Sequence, residues 1–427
     1  MKRDRSLRRM GTGLLLIATV ALLLVPGAGA QNKFKTLYKF KQGADGELPW
    51  AGLIFDQSGD LFGTTAFGGA NSCSPHAGCG TVFKLAPNGN GTWTESVLYS
   101  FAGGNDGVEP LAGLVFDSAG NLYGTTLDGG PNGVGVVFRL TANTDGTWTE
   151  SVLYSFCSLS NCGDGFTPIG GLILDQTGNL YGTTAQGGTN NAGTVFKLTP
   201  HQGGSWTESV LYSFTGNRDG ADPQGALIFD QAGNLYGTAI GGGITSCRGG
   251  CGVIFELTPQ NNGSWTESVL YSFTGGSDGG LPVGNVIFDQ SGNLYGTTNQ
   301  GGHMGRDCSV GCGVAFELSP NRDGSWAEKA LHQFNVKQGA FPATGLTFDA
   351  AGNLYGTTQV DAAGFGTVFK LSPNSNGGWT QTQVHVFVNH PGSYPHAGVI
   401  FDAAGNLYGT SFGDGNQTFG SVFEITP

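Results

Sequence analysis

The segment Asp-Gln-Thr-Gly-Asn-Leu-Tyr-Gly-Thr at residues 175–183 decides the fold, because it recurs through the whole chain. The pattern Asp-x-x-Gly-(Asn/Asp)-Leu-(Tyr/Phe)-Gly-Thr occurs seven times, at steps of 61, 58, 55, 59, 60 and 53 residues. Repetition at a period of tens of residues indicates an architecture in which each copy is one structural unit. The copies begin at Asp56, Asp117, Asp175, Asp230, Asp289, Asp349 and Asp402.

Each copy contains four short apolar segments separated by residues that favour turns. In the second copy they are residues 113–116, 122–125, 136–140 and 148–156, which are rich in Val, Phe, Tyr, Trp and Thr. Such runs, bounded by Gly, Asn, Asp or Pro, indicate strands joined by hairpins, here named a to d in chain order. We therefore predict an all-β fold, a seven-bladed β-propeller with four antiparallel strands per blade.

The two ends of the repeat region predict how the ring closes. Residues 34–40, Phe-Lys-Thr-Leu-Tyr-Lys-Phe, match a d segment such as 151–156, whereas the chain ends after a c-type segment at 419–426. We expect the N-terminal strand to complete the last blade, which leaves no open sheet edge between first and last blades. The six units with a c–d turn each carry a tryptophan after it, at Trp93, Trp148, Trp206, Trp265, Trp326 and Trp379.

The aspartate that opens each copy has a local explanation. The glycine three residues later supplies a left-handed backbone position, and the carboxylate can accept backbone N–H groups across the a–b turn. A structural role is the simpler interpretation of these seven aspartates, and a ligand role is the alternative.

Residues 1–30 have the pattern of a secretory signal peptide. A basic start precedes an apolar run at 14–24 and Ala-Gly-Ala at 28–30, where cleavage near Ala30 is expected. Residues 31–427 then form a single propeller domain, secreted or periplasmic, which we expect to be a monomer without a membrane span. Without residues 1–30, which hold five of the 19 Lys and Arg and one of the 31 Asp and Glu, the net charge is −16. A nucleic-acid binder needs the opposite balance.

The eight cysteines fall into four close pairs, three in b–c loops and one in a d–a loop. An even number of cysteines in an exported chain indicates disulfides, here four local bridges with no free thiol. A metal site is the alternative, although the spacing is wider than Cys-x-x-Cys and only His76 and His303 lie nearby. The pairs are Cys73 with Cys79, Cys157 with Cys162, Cys247 with Cys251, and Cys308 with Cys312.

Loop variability points to one face of the propeller. The a–b turns are nearly identical, whereas the b–c loops vary and lie at the same end of the blade as the d–a loops. Variable loops on a rigid frame commonly bind ligands, so we expect the d–a/b–c face to be functional. Five d–a loops carry an Asp-Gly pair, which is explained as a turn, with calcium between neighbouring loops as the alternative. The aspartates are Asp45, Asp106, Asp164, Asp219 and Asp278.

A proline in every d–a loop is flanked by residues that differ between units. Because these positions lead into the innermost strand, we expect several of them to ring the mouth of the central channel. The simpler interpretation of Trp50 is a cover for a junction between blades; the alternative is an exposed tryptophan that, beside polar planar side chains, suits a sugar ring. The ligand-binding candidates are Trp50, Glu109, Asp222, Gln224, Tyr394 and His396.

Catalytic signals are sparse. Glycoside hydrolysis needs two suitably spaced carboxylates, and Glu109 with Asp222 is the candidate pair outside the repeat pattern. The glutamate of the repeated Trp-Thr-Glu-Ser segment is interpreted as a solubilising residue of the outer strand. No nucleophile-elbow, zinc-protease or phosphate-loop motif occurs.

The repeat resembles a known family. Its Gly-Leu-Ile-Phe-Asp-x-x-Gly-Asn-Leu-Tyr-Gly-Thr-Thr, Gly-Thr-Val-Phe-Lys-Leu-Thr-Pro and Val-Leu-Tyr-Ser-Phe segments, clear at 181–198 and 208–230, are similar to the GloVer (Gloeobacter–Verrucomicrobia) tandem repeat. The resemblance covers 34–427 and implies an exported bacterial protein of the choice-of-anchor type, without implying an activity or catalytic residues.

Together these features predict an exported, non-catalytic binding or surface-interaction module. Its expected partner is a glycan, another extracellular polymer or a surface protein, and no cofactor is required. The alternatives are a calcium-assisted carbohydrate-active hydrolase or lyase and a protein-docking scaffold.

Overall fold

The computed structural model describes residues 32–73, 78–388, 393–413 and 419–427. Within these ranges, 28 strands form seven antiparallel four-stranded sheets, arranged as the blades of a propeller. The predicted fold class is confirmed. The predicted signal peptide, residues 1–30, lies outside the described residues.

Strands at equivalent positions have nearly equal lengths in all blades, as the repeat requires. The a strands are Ile54–Phe55, Val115–Phe116, Ile173–Leu174, Ile228–Phe229, Ile287–Phe288, Thr347–Phe348 and Ile400–Phe401. The b strands are Leu61–Thr65, Leu122–Thr126, Leu180–Thr184, Leu235–Ala239, Leu294–Thr298, Leu354–Thr358 and Leu407–Ser411. The c strands are Thr81–Pro87, Val136–Ala142, Thr194–Pro200, Val253–Pro259, Val314–Pro320, Thr367–Pro373 and Ser421–Thr426. The d strands are Trp93–Ser100, Trp148–Ser155, Trp206–Ser213, Trp265–Ser272, Trp326–Gln333, Trp379–Val386 and, for the seventh blade, Lys33–Lys39.

The core lies within and between the blades. Every b strand is buried along its length, and its glycine leaves room for a phenylalanine of the c strand. In the third blade a Cβ atom on Gly182 would lie 2.7 Å from Cζ of Phe196. Phe156, directly after the d strand of the preceding blade, packs edge-on against the same ring with centroids 5.0 Å apart. Aromatic contacts of this kind join neighbouring blades as well as neighbouring strands.

The ring closes through strands from both ends of the chain. The first strand, Lys33–Lys39, pairs with the last, Ser421–Thr426, so that Lys33 lies opposite Thr426. Phe40 then contacts Phe83 of the first blade, with ring centroids 5.1 Å apart. The seventh blade therefore has its four strands, and the predicted closure is confirmed.

The a–b turn is held by its aspartate in the predicted way. Asp175 accepts backbone N–H groups from Thr177 and Asn179, both at 2.9 Å, and Gly178 has φ of 84°. Burial opposes ionisation of Asp175, but hydrogen bonds from Asn179 and Thr177 outweigh it and lower its pKa to about 2. The described structure thus gives these aspartates a structural role.

Helical structure is confined to short 3-10 turns, Gly43–Asp45 and Ser160–Cys162, within the described ranges. No helix in that part of the chain is long and apolar enough to cross a membrane.

Candidate functional site

The d–a loops and b–c loops lie at the same face, as predicted, and they are bonded to each other. Isolated antiparallel bridges join them, for example Val108 with Asp128 and Phe166 with Gln186. This pairing fixes where each d–a loop turns into the innermost strand. Positions flanking the loop proline are therefore set by backbone geometry.

The residue before each proline connects three segments. Asp222 donates its N–H to the carbonyl of Ala192 in the preceding blade at 2.9 Å, and its carbonyl accepts from Ile240 at 3.2 Å. The same backbone arrangement recurs at Glu109 and at Tyr394. All seven residues at this position have left-handed φ values between 56° and 61° although none is glycine. Varied side chains are tolerated here because the backbone makes the conserved contacts.

The residues after the prolines have a different position. All seven of them line a central cavity of about 580 Å³, together with backbone of the innermost strands. Ligand pockets for small molecules have volumes in this range. The set comprises Trp50, Leu111, Ile169, Gln224, Val283, Ala343 and His396.

The cavity is polar without being charged. Its described lining contains no Asp, Glu, Lys or Arg, although the protein carries a large negative charge. Four side-chain amides lie in it, from Gln224, Asn285, Asn299 and Gln359. Each amide nitrogen already makes one hydrogen bond within the protein, so its second N–H and its carbonyl oxygen are the groups that can recognise hydroxyl groups without an ionic contact.

Aromatic rings lie on one side of the cavity. Trp50 contacts His396 with centroids 4.3 Å apart, and Phe412 supports both rings at 5.2 and 5.0 Å. Gln359 Nε2 lies 3.1 Å from His396 Nδ1. Burial lowers the pKa of His396 to about 4, which leaves its ring neutral at physiological pH. Trp50 thus covers the junction between the last and first blades and also faces the cavity.

The polar and aromatic side follows a pattern that sequence reasoning did not use. The residue after each b strand is Ala66, Leu127, Ala185 or Ile240 in blades one to four, but Asn299, Gln359 and Phe412 in blades five to seven. Asn299 and Gln359 line the cavity, and Phe412 supports Trp50. The change from small or aliphatic residues to Asn, Gln and Phe in three consecutive repeats is the sequence signal that could have located this side of the cavity.

The remaining ligand candidates lie elsewhere. Glu109, Asp222 and Tyr394 are not part of the cavity lining, and one blade separates the loops of Glu109 and Asp222. Asp222 accepts a hydrogen bond from Gln224 Nε2 at 3.0 Å. Burial raises the pKa of Asp222, and the Gln224 hydrogen bond partly opposes this shift. The structure brings Trp50 and His396 into contact but does not join the two carboxylates.

The five d–a loop aspartates hold their own turns. Asp106 accepts from Tyr99 Oη at 2.8 Å and from the N–H of Ala102 at 2.7 Å. Asp164 and Asp219 make the equivalent contacts, and Asp45 and Asp278 follow the same pattern. The described residues contain no cluster of three or more His, Cys, Asp or Glu arranged to hold a metal. Calcium binding stays the untested alternative.

The outer-strand glutamates are less exposed than the sequence analysis expected. Glu150 is half-buried, and its Oε1 is buried without a hydrogen-bond partner among the described residues. Burial, and then the charge of Asp106, raise the pKa of Glu150 to about 7. The interpretation as purely solubilising residues is therefore wrong, because each faces a loop aspartate across a blade junction. The pairs are Glu95 with Asp45, Glu150 with Asp106, Glu208 with Asp164, Glu267 with Asp219, and Glu328 with Asp278.

The predicted cysteine pairs are confirmed. All eight cysteines form the four expected local disulfides, and no free cysteine is left. A metal held by these thiols is thereby excluded, and His76 lies outside the described residues. Disulfides indicate an oxidising, extracytoplasmic environment.

The fold and these loops define the class of protein, a disulfide-bonded seven-bladed β-propeller with a ligand-sized central cavity. The chain belongs to the Gloeobacter/Verrucomicrobia repeat family, whose model matches residues 26–158, 74–306 and 245–427. This finding confirms the resemblance noted in the sequence. No curated protein matches the chain.

Solved structures with a similar fold belong to several enzyme classes. A fungal alcohol oxidase of the AA5 family, in complex with copper, has a TM-score of 0.51 and 13% identity, over 93% of this chain and 76% of that one. A puromycin-hydrolysing peptidase of Mycobacterium tuberculosis has a TM-score of 0.52 and 10% identity, over 92% and 54%. An ancestral GH74 enzyme has a TM-score of 0.53 and 13% identity, over 90% and 48%. The chain spans about half the length of the latter two, and identities this low show the fold alone.

Proposed function

We propose that this protein is an exported, non-catalytic binding module whose central cavity takes a neutral sugar unit of an extracellular polymer. The observation that supports this most directly is the uncharged cavity lining, with four side-chain amides and the Trp50–His396 pair. Sugar rings combine an apolar face with hydroxyl groups, and this combination matches an aromatic surface beside amides.

The charge of the cavity narrows the ligand class. His396 stays neutral at physiological pH, so no described lining group would compensate the charge of a uronic acid or an amino sugar. Burying such a charge without a partner is costly. A neutral sugar avoids that cost.

The position of the carboxylates favours binding over hydrolysis. A glycosidase places two carboxyl groups on either side of the scissile bond, and neither Glu109 nor Asp222 lines the cavity. Export is part of the proposal and rests on the disulfides and on the signal-peptide pattern of residues 1–30.

The first test is binding of residues 31–427 to a panel of insoluble and immobilised polysaccharides, with and without calcium. We expect saturable binding to a neutral polymer, with the ligand intact afterwards. Trp50→Ala should weaken binding about tenfold, because a central aromatic contact carries much of the energy of such a site. Leu111→Ala, on the aliphatic side of the same cavity, is the matched control and should have a smaller effect.

Several results would contradict the proposal. Preference for an acidic polymer, or binding that Trp50→Ala leaves unchanged, would place the ligand elsewhere. Cleaved ligand, with turnover lost in Glu109→Ala or Asp222→Ala, would establish the hydrolase alternative. No binding to any polymer would leave the protein-docking alternative.

A further inference from the structure

A second concave surface lies on the outer part of the d–a/b–c face, away from the central cavity. A groove of about 970 Å³ is formed on blade four by the d–a loop around Arg218, the b–c loop around Ile244 and the d-strand residue Val269. None of these residues lines the central cavity. The groove is therefore a separate candidate surface.

The neighbouring b–c loop of blade five extends this surface. Ser246 Oγ of the blade-four loop donates to the carbonyl of Thr274 at 2.5 Å. The N–H of Gly302, in the blade-five loop, donates to the carbonyl of Gly276 at 2.7 Å. The two b–c loops thus flank the same short d–a segment and lie next to each other on this face.

This surface is basic in an acidic protein. Residues 31–427 contain five arginines, and three of them, Arg218, Arg248 and Arg306, lie exposed on these loops. None of the three makes an ion pair within the described residues. Asp307 in the blade-five loop is the exposed carboxylate beside them, whereas Asp219, next to Arg218, is half-buried and accepts hydrogen bonds from Tyr212 and Thr215. The exposed charges of these loops are therefore mainly positive, opposite in sign to the net charge of the molecule.

The same surface is also unusually apolar. Of the eight large hydrophobic residues that are exposed in the described structure, four belong to blades four and five: Ile244, Val269, Met304 and Val310. Met304 is 58% exposed and Val310 is 50% exposed. Exposed apolar clusters on a soluble fold mark interaction sites. All four side chains are aliphatic or thioether groups, which suit apolar side chains better than sugar rings.

The loops that carry these side chains are held in place. The disulfides Cys247–Cys251 and Cys308–Cys312 each close a short loop segment. Within the first, the N–H of Cys251 donates to the carbonyl of Ile244 at 2.9 Å. A preorganised surface loses less conformational entropy when a partner binds.

We propose that this surface, defined by Arg218, Ile244, Arg248, Met304, Arg306 and Val310, docks an acidic polypeptide segment that also bears apolar side chains. Charge complementarity selects the acidic residues, and the exposed aliphatic groups select the apolar ones. The proposal does not depend on the nature of the ligand in the central cavity.

The test is selection from a phage-displayed library of random peptides of about 12 residues against the whole protein. We expect the enriched peptides to combine Asp or Glu with apolar residues. The triple variant Arg218→Ala/Arg248→Ala/Arg306→Ala should bind a synthesised, enriched peptide at least about tenfold more weakly, and salt should weaken wild-type binding. Arg322→Ala, in a c–d turn at the opposite face, is the control and should bind normally.

Four outcomes would overturn the proposal. They are enriched peptides without excess acidic residues, equal binding by the triple variant, the absence of any enriched peptide, and a stable dimer that the triple variant dissolves, which would identify a second copy of the chain as the occupant. Thermal unfolding of each variant checks that the fold is retained. Polysaccharide binding by the triple variant should be unchanged, so failure here is distinguishable from failure of the proposed sugar site.

Discussion

At the scale of single residues, the repeat separates positions that build the frame from positions that line the central cavity. The glycine in the middle of each b strand belongs to the frame, because its missing side chain is the space that a phenylalanine ring fills. Protein interiors are packed so closely that one added methyl group is enough to lower the stability of the fold.

Gly182→Ala should therefore destabilise the protein. The new Cβ would lie 2.7 Å from Phe196 Cζ and 2.9 Å from Leu172 Cδ2, so the ring or the strand must shift. We expect a loss of about 1–3 kcal/mol in the free energy of unfolding, measured by urea denaturation. Gly378→Ala, in an exposed c–d turn with no atom closer than 3.4 Å to the new Cβ, is the control. Equal losses in both variants would show that the Gly182 contact does not matter.

The positions that line the cavity could be predicted only in part. Sequence variation beside the loop proline located Trp50, Gln224 and His396, which line the cavity. It could not separate them from Glu109 and Tyr394, because the side-chain direction depends on the left-handed backbone before the proline. That conformation is rare for non-glycine residues, and no local sequence preference predicts it.

At the scale of elements, the junction between blades is the recurring unit of interest. Five junctions combine a d-strand tyrosine, a loop aspartate and the glutamate of the next d strand. In the sixth junction His332 replaces the tyrosine, Gln338 the aspartate and Gln381 the glutamate. Gln381 Nε2 donates a hydrogen bond to the backbone carbonyl of Gln338 at 3.2 Å. The aspartate and the glutamate therefore disappear together, as expected if each acts on the other.

These glutamates make stability depend on pH. Burial and the facing aspartates raise their pKa values in the folded state to about 7 from an ordinary 4.5. At these glutamates the folded state binds more protons than the unfolded state, so their contribution to stability falls as the pH rises from about 4.5 to above 7. His332, His385 and His396, whose pKa values burial lowers to about 4, contribute in the opposite direction. Because the glutamates are half-exposed, solvent screening reduces the effect at each site.

We expect the thermal midpoint to be higher at pH 5 than at pH 8, and the difference to shrink when the five glutamates are changed to Gln. The sixth junction already carries Gln at that place, so the substitution suits the fold. Asp307→Asn, at an exposed loop carboxylate, controls for net charge. A pH dependence that the five substitutions leave intact would assign it to other groups.

Sequence alone could not reveal this coupling. The alternation in Trp-Thr-Glu-Ser places the glutamate on the same face of the strand as the tryptophan, but it does not say which residues that face meets. The d strand and the loop aspartate are close only because neighbouring blades pack side by side. Local sequence patterns predict the strands and the turns, whereas contacts between blades follow only from the closed ring.

At the scale of the whole molecule, ring closure joins the two ends of the described chain. Lys33 lies opposite Thr426 on neighbouring strands, so the described termini are close together in space. The number of blades, the strand positions and this closure were all predicted from the repeat, because each unit follows the same strong pattern.

A circular permutant should therefore fold. We expect a chain opened between Asn262 and Gly263, in the exposed c–d turn of blade four, to retain the thermal midpoint within a few degrees when a Gly/Ser linker of about six residues joins the original ends. Opening between Phe255 and Glu256, inside a c strand, is the matched control and should abolish folding. Failure of the first permutant would mean that the native ends are required for assembly.

The closing strand pair also has a consequence for how the molecule is made. The first strand of the propeller to leave the ribosome pairs with the last, so it must wait, with an edge uncovered, until the whole repeat array has been synthesised. The two strands can pair only when the complete set of blades has been made. A product shortened by one repeat lacks the last strand, which is the partner of the first. Its first strand keeps an open edge, and this distinguishes it from the finished ring.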